Sequence, residues 1–337
     1  MTKIRWGILA TGGIAAKFAG DLRLTPDAEL TAVGSRRLES AQAFAQRHNV
    51  GQAYGSYEQV AADPDVDVVY VATPHAMHYD DVLMCFDAGK SVLCEKALTL
   101  NANDAAELVS TARERGLFFM EAMWMRCNPN IRAMQEVVAS GALGDITAVG
   151  ADLGFVPDEP PDHRLFDPDL GASAVLDIGI YPTTFIWLFM GPPRTVQSTG
   201  VLSERGIDLS CAGLFSYDSG AATFHCTMTA PTPTRAFVSG TRGRIDVSPR
   251  FHTPSQFSVT VDGHTTSYAH PVAGAGYVAE IEEVHRCLRS GATESSLVPL
   301  DDTVAIMRVL DEMRAQIGST LPGDPGYPAR KPRRGTA

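Results

Sequence analysis

The sequence predicts an α/β chain in two parts. A doubly wound parallel sheet is expected over residues 1–125, and an α+β domain with an open-faced, mainly antiparallel sheet over 126–321. Three observations carry that prediction. Short apolar runs alternate with helical patterns through the first part, the texture of a parallel sheet with helices on both faces. A glycine-bearing turn follows the first apolar run. After Trp124 the texture changes to runs of alternating polarity separated by turn dipeptides, as in hairpins.

Taken in order, Ile4–Leu9 reads as a strand and Ile14–Leu22 as a helix, Glu29–Ser35 as a strand and Leu38–Arg47 as a helix. A short element at Ala53-Tyr54 precedes a helix at Tyr57–Ala62, and β-branched Val66–Ala72 is a strand bounded by Asp65 and Pro74. Tyr79–Ala88 is helical and stops at Gly89, and Ser91–Cys94 is a strand. Asn101 caps Ala105–Arg115, which ends at Gly116, before a strand at Leu117–Met120. In the second part Pro129–Ser140 is a helix. The strands are Ile146–Phe155, Ala212–Tyr217, Ala221–Thr229, Ala236–Gly240, Arg244–Val247, Phe257–Val261 and Thr265–Tyr268. A helical stretch, Gly171–Phe189, interrupts them, and two helices, Tyr277–Ser290 and Asp301–Ile317, follow. Residues 322–337, rich in Pro, Gly and Arg, read as a flexible tail whose Lys331, Arg333 and Arg334 are solvated.

Composition narrows the function. A formal charge of −11 argues against nucleic acid, which needs a basic face, and against anionic membranes. No run reads as a membrane helix or a signal segment. Six scattered cysteines with no C-x-x-C pair suit free thiols in a reducing cytoplasm.

The first strand leads into Ala10-Thr11-Gly12-Gly13-Ile14-Ala15. In the Rossmann fingerprint G-x-G-x-x-G/A the second glycine lets backbone approach a pyrophosphate, and a later small residue lets helix pack on strand. Gly12 and Ala15 fill those places; Ala10 replaces the first glycine and is acceptable if the turn keeps φ negative. A tight turn without ligand would look the same in isolation. The second strand ends in Ser35-Arg36-Arg37, where an NAD site carries an acid for the ribose 2′-hydroxyl. Two guanidiniums match a 2′-phosphate instead, so NADP is expected, with NAD possible. Two solvated arginines would give the same sequence.

Several motifs together resemble the Gfo/Idh/MocA oxidoreductase family: Val92-Leu93-Cys94-Glu95-Lys96, Tyr70-Val71-Ala72-Thr73-Pro74-His75 and Leu176-Asp177-Ile178-Gly179-Ile180-Tyr181-Pro182. Glu121-Ala122-Met123-Trp124-Met125-Arg126 resembles its branch of dimeric dihydrodiol dehydrogenases and NADP-dependent D-xylose dehydrogenases. The resemblance spans about Arg5 to Ile317. It implies an N-terminal Rossmann domain, a C-terminal open-faced sheet and a homodimer through that sheet. It makes Lys96 the catalytic lysine of an E-K-P motif, with Ala97 in place of proline, and puts Glu95 at the nicotinamide ribose. It makes Tyr181 the acid/base, with Asp177 orienting the lysine or the substrate hydroxyl.

The chemistry of these residues agrees. An ammonium at Lys96 can steady an alkoxide and lower the pKa of a neighbouring phenol, which is otherwise near ~10. On an α-helix Asp177 and Tyr181, four apart, share a face; Tyr181 packed against Phe185 is the bland alternative, and Pro182 implies a local break. Gly171-Ala172-Ser173 replaces a more glycine-rich run. Thr73, Pro74, His75 and His78 are expected along the cofactor; the two histidines are not expected to bind a metal, for no third ligand accompanies them. Trp124 and Arg126, with Phe155, are expected at the substrate, Trp124 as a flat apolar wall; an anchoring role in the fold is the alternative. The expected activity is that of an NADP-dependent dehydrogenase or reductase acting on CH–OH groups. It moves hydride between NADP(H) and a carbinol carbon of a small polyol, pyranose or trans-dihydrodiol. The alternatives are a reductase of an oxo-sugar or dicarbonyl, and a dinucleotide-binding sensor without turnover.

Overall fold

The fold was described from a computed structural model, which covers residues 2–160, 163–324 and 327. The chain forms two compact units. The first holds residues up to 99, 103–132 and 270–304; the second holds 100–102, 133–269 and the chain from 305 on. The expected division at 125/126 differs from this in one large respect: 270–304 belongs with the first unit. Hydrogen bonds explain it. Asp21 accepts from the backbone N–H of Ala275 and of Tyr277 (2.9 and 2.8 Å), and the Trp6 indole donates to His285 Nε2 at 3.0 Å.

In chain order the first elements are β1 (Ile4–Leu9), α1 (Gly13–Leu22), β2 (Ala28–Gly34), α2 (Leu38–His48), β3 (Gln52–Tyr54), α3 (Tyr57–Ala62), β4 (Val68–Val71), α4 (His75–Asp87), β5 (Ser91–Glu95), α5 (Ala102–Arg115) and β6 (Phe119–Ala122). The six strands lie in the order β3-β2-β1-β4-β5-β6, all parallel. That order reverses direction between β1 and β4, so a crevice opens at their carboxyl ends, where dinucleotides bind in such sheets. The strands are nearly continuous apolar runs because both faces are covered. Trp6, Phe18, Tyr70, Phe86 and Phe119 are wholly enclosed among them.

The chain continues with a 3₁₀ turn (Trp124–Cys127), α6 (Pro129–Ala139), β7 (Ile146–Gly154), 3₁₀ turns at Arg164–Phe166 and Pro168–Leu170, a π turn (Val175–Gly179) and α7 (Ile180–Met190). Then come β8 (Thr195–Leu202), β9 (Asp208–Tyr217), β10 (Gly220–Thr227), β11 (Ala236–Gly240), β12 (Gly243–Val247), β13 (Phe257–Val261), β14 (His264–Tyr268), α8 (Val278–Ser290) and α9 (Leu300–Ile317). The second sheet runs β14-β13-β12-β11-β7-β10-β9-β8, antiparallel except where β7 meets β10. Its hairpin β13–β14 turns on Asp262 and Gly263, both at positive φ (50° and 77°), the geometry a two-residue hairpin loop demands.

Three expectations are corrected. β8 carries no alternation legible in the sequence: it is an edge strand, mostly exposed, reading Thr-Val-Gln-Ser-Thr-Gly-Val-Leu. The run 168–190 is apolar enough for a membrane span, with mean hydropathy 1.4, but 83% of that window is buried within the structure. Ordered structure passes the expected start of the tail: Leu321 and Pro322 are buried, and Asp324 accepts from Arg314 at 2.5 Å. The remainder of that segment, with Lys331, Arg333 and Arg334, lies outside the described residues.

Candidate active site

The first unit builds one set of candidate residues at the β1–β4 crevice. β1 ends in Ala10, whose N–H donates to Gly34 O at 3.0 Å and whose φ is +81°. The expectation of a negative φ is thereby overturned. The turn needs the conformation that the fingerprint's first glycine adopts freely, and alanine takes it at a cost of about 1–2 kcal/mol. Thr11 is half-buried, Gly12 and Gly13 are exposed, and Ile14 begins to pack as α1 starts. A Cβ built at Gly12 or Gly13 would meet no atom within 4 Å. No side chain caps α1, so its first N–H groups face that open space. The turn therefore fits a pyrophosphate. At the end of β2, Ser35 Oγ accepts from Arg37 N (3.4 Å), and the Arg36 and Arg37 side chains are exposed.

The loop after β4 serves mainly to hold the loop after β5. Thr73 Oγ1 donates to Asp81 Oδ2 at 2.7 Å. Half-buried Pro74 opens α4, four residues earlier than expected. His75 Nε2 lies 3.0 Å from Lys96 O. His78 is wholly enclosed, with Nδ1 3.1 Å from Ala97 O and Nε2 2.8 Å from Thr73 O. The expected cofactor contact of His78 is thus corrected: its ring clamps two loops from within. The Lys96–Ala97 peptide is cis. With no proline at 97, the histidines and Glu121 hold this backbone: Glu121 accepts from Leu98 N (3.1 Å) and from Thr303 Oγ1 (3.0 Å). Burial pushes the Glu121 carboxyl up to about 7. Glu95, at the carboxyl end of β5, accepts from the Tyr70 hydroxyl and from Lys96 N (3.3 Å). The Lys96 side chain is half-buried at the same end of the strand.

Trp124 is 8% exposed and packs against Tyr277, ring centroids 5.3 Å apart. Tyr277 was not singled out from the sequence, for it lies some 150 residues downstream with no motif around it. Arg126 is corrected. It is buried, with Nε donating to Leu297 O (2.7 Å) and Nη2 to Asp302 (2.6 Å), so it ties the loop before α9 rather than meeting a substrate.

The second unit holds the acid and the phenol. Asp177 lies in the π turn, not on a regular α-helix as expected, and Tyr181 opens α7. The irregularity falls just upstream of Pro182, which sits in the first turn of α7, where a helix needs no N–H. Wider turns of this kind recur at functional sites. Buried Asp208 anchors the turn, accepting from Ser173 Oγ (3.0 Å), Val175 N (2.8 Å) and Ser319 Oγ (2.7 Å). The serine of the Gly171-Ala172-Ser173 run thus has a defined partner. Asp177 is 4% exposed and accepts from Arg164 Nη1 at 2.9 Å. Tyr181, 7% exposed, lies beside the His252 ring at 5.2 Å between centroids. Neither Arg164 nor His252 stands out in the sequence: each comes from an irregular segment. Phe155, just past β7, is 39% exposed. The structure therefore brings Lys96 to Glu95, Asp177 to Arg164 and Tyr181 to His252; Lys96 belongs to one unit, Asp177 and Tyr181 to the other.

Comparison with known proteins gives a consistent answer. The model of an oxidoreductase family with an NAD-binding Rossmann fold, GFO_IDH_MocA, matches residues 4–123, and the family's C-terminal domain matches 131–246. The trans-1,2-dihydrobenzene-1,2-diol dehydrogenase of Mus musculus is 37% identical, over 95% of this chain and 99% of its own. That of Macaca fascicularis is 38% identical, with the same coverage. Among solved structures, a 3-ketoreductase from Actinomadura kijaniata in complex with NADP and TDP-benzene superposes with a TM-score of 0.84 at 26% identity, over 94% of this chain and 98% of that one.

Proposed function

Because the chain belongs to the Gfo/Idh/MocA oxidoreductase family, we propose that it is an NADP-dependent dehydrogenase for a carbinol carbon of a small polyol, pyranose sugar or trans-dihydrodiol. The observation that carries this is the open glycine turn at the β1–β4 crevice with Lys96 at the carboxyl end of β5, in a chain similar throughout to dihydrodiol dehydrogenases. The dinucleotide, when bound, accepts or returns the hydride. Gly12, Gly13 and the start of α1 hold its phosphates, Arg36 and Arg37 take the 2′-phosphate, and Glu95 meets the ribose. Thr73, Pro74 and His75 border it.

In oxidation Tyr181 takes the hydroxyl proton, and Lys96 steadies the oxygen as charge develops on it. Asp177 orients the reacting hydroxyl, its own charge balanced by Arg164. Trp124 and Phe155 supply apolar surface for the rest of the substrate. The same residues serve a ketone reductase in reverse, a reading favoured by the similarity to the 3-ketoreductase. The test is absorbance of the reduced nicotinamide with NADP and NAD across aldoses, polyols and trans-dihydrodiols. Turnover with one class names the substrate. Tight dinucleotide binding without turnover on any of them, or on ketone analogues, would leave only a binding module.

The active form is taken to be a cytoplasmic homodimer built on the second unit's sheet. Supporting it, that sheet leaves Val201, Leu214 and Phe237 exposed (58%, 38% and 39%), and Phe237 borders a concavity of about 490 Å³ on it. All six cysteines are buried, unbridged thiols. Light scattering that finds a monomer at micromolar concentration would rule the dimer out.

A further inference from the structure

Behind the dinucleotide turn, the first unit encloses a carboxyl group that no role above uses. Glu280 lies in the first turn of α8, wholly buried, and neither of its carboxyl oxygens has a hydrogen-bond partner among the described residues. An unpaired carboxylate in such surroundings is so unfavourable that the group keeps its proton instead.

The groups that face it supply no compensating cation. They are Glu95 on β5, Tyr70 on β4 and Asp21 on α1, with Cys127 of the 3₁₀ turn after β6 beside it. On its own helix, Glu283 is paired with Arg286 at 2.7 Å, and Tyr277 precedes it by one turn. Two of these acids are satisfied as carboxylates. Asp21 accepts from the backbone of Ala275 and Tyr277, and Glu95 accepts from Tyr70 and Lys96 N. Glu280 alone of the three receives no donor. Burial first, then the negative charges of Glu95 and Asp21, push its carboxyl well above the usual range.

Tyr70 joins this group to the dinucleotide helix. Its ring stacks on Phe18 of α1 (centroids 3.7 Å, planes 14° apart), and its hydroxyl donates to Glu95. We propose that Glu280 is a positioning residue for the nicotinamide end of the dinucleotide: an enclosed, unpartnered acid behind Glu95 that leaves Glu95 the single negative charge at the carboxyl end of β5 for as long as it keeps its proton. This rests on the dinucleotide lying along the carboxyl edge of the parallel sheet. The oxidised ring is a cation and the reduced ring is neutral, so an added carboxylate strengthens binding of the oxidised form relative to the reduced. The ionisation itself is a simple loss of the carboxyl proton to solvent.

The experiment measures dissociation constants of NADP⁺ and NADPH by calorimetry from about pH 7 to about pH 10, on the whole protein and on Glu280→Gln. In the wild type the ratio of the NADPH to the NADP⁺ constant should rise roughly fivefold or more over that range. In Glu280→Gln, which keeps shape and zero charge, both constants at neutral pH should stay within about threefold of wild type, and the ratio should rise less than in the wild type, only by the share that ionisation of the Tyr181 phenol contributes. A flat ratio in the wild type, or the same rise in the variant, overturns the proposal. Infrared spectroscopy of the wild type supplies a second readout if the variant folds poorly. At about pH 8.5, above the ionisation of Glu121, the carbonyl stretch of a protonated carboxyl should persist. Its absence overturns the proposal as well. If neither dinucleotide binds the wild type, the dinucleotide site is what fails, and the infrared band still reports the proton on Glu280.

Discussion

Two buried acids of the first unit and two of the second meet opposite surroundings. In the first, Glu121 and Glu280 lie in apolar surroundings and meet at most an amide and a hydroxyl, so burial drives both carboxyls upward. In the second, Asp177 is as deeply enclosed but has a guanidinium at 2.9 Å, and Asp208 gathers three donors. The contrast separates buried carboxyls with few donors from buried carboxyls that gather them. Glu121 and Glu280 stand apart even within the first unit, where Asp21, Glu95 and Glu283 all find donors, while the half proposed to exchange the substrate proton gives its buried aspartates guanidinium and backbone partners.

The largest test of that contrast removes the phenol. Tyr181→Phe should leave NADP binding intact and cut turnover by roughly 10²–10⁴. Lys96→Met should also cut turnover, and the double variant should lose less than the product of the two, because both act on one oxygen. Steady-state kinetics over pH read this, and the limb of the profile belonging to the phenol should vanish in Tyr181→Phe. Near wild-type turnover with an unchanged profile would make Tyr181 a packing residue.

Next in size is the cofactor edge. Arg36→Ala with Arg37→Ala should weaken NADP far more than NAD, each lost phosphate contact being worth about 1.5–3 kcal/mol. Equal losses in a titration of both cofactors would show that the arginines do not read the 2′-phosphate. A smaller effect is expected from Arg164→Met, which strips the balancing charge from Asp177. Turnover should fall on the order of tenfold, with partial recovery in Arg164→Lys and no change in dinucleotide affinity. A change in affinity without one in turnover would place Arg164 elsewhere in the mechanism.

The smallest effect is on stability, and two groups of the first unit oppose each other there. The Glu121 carboxyl is raised, so its contribution is present below about pH 4.5 and lost as pH rises through about 7. His285 is lowered to about 4, mainly by burial, so its contribution is present above about pH 6.5 and lost as pH falls through about 4. Glu280, raised in the same direction as Glu121, adds its own loss with base to the wild-type profile. Measured by calorimetric melting against the wild type, Glu121→Gln should therefore lose less melting temperature with base and His285→Gln less with acid, each by a few °C. Variants whose profiles parallel the wild type would refute the opposition.

How far the sequence reached can be judged from particular residues. Strand β1 and helix α3 were legible to the residue, since apolar period and turn residues are local signals. So was the Asp262-Gly263 hairpin, because only a few residue types tolerate positive φ. The Glu95-Lys96 pair, Asp177 and Tyr181 were legible as residues because they sit in recognisable motifs. Their surroundings were not: Arg164 and His252 come from irregular segments, and β8 hid because an exposed edge strand carries no apolar alternation. Arg126 and His78 misled because a polar residue in a motif looks the same whether it faces a ligand or a carbonyl.

The sequence by itself therefore determined the order of the elements other than β8, the glycine turn after β1 and the residue types available for chemistry. Those follow from interactions within a few residues of one another. The tertiary structure alone decided that Ala10 takes a positive φ, that the helix before Tyr181 opens into a π turn, and that α8 folds back onto the first unit. It alone decided as well which buried acids find a partner. A carboxyl's charge depends on donors and cations that segments distant in sequence bring to it: Arg164 reaches Asp177, and no donor among the described residues reaches Glu280.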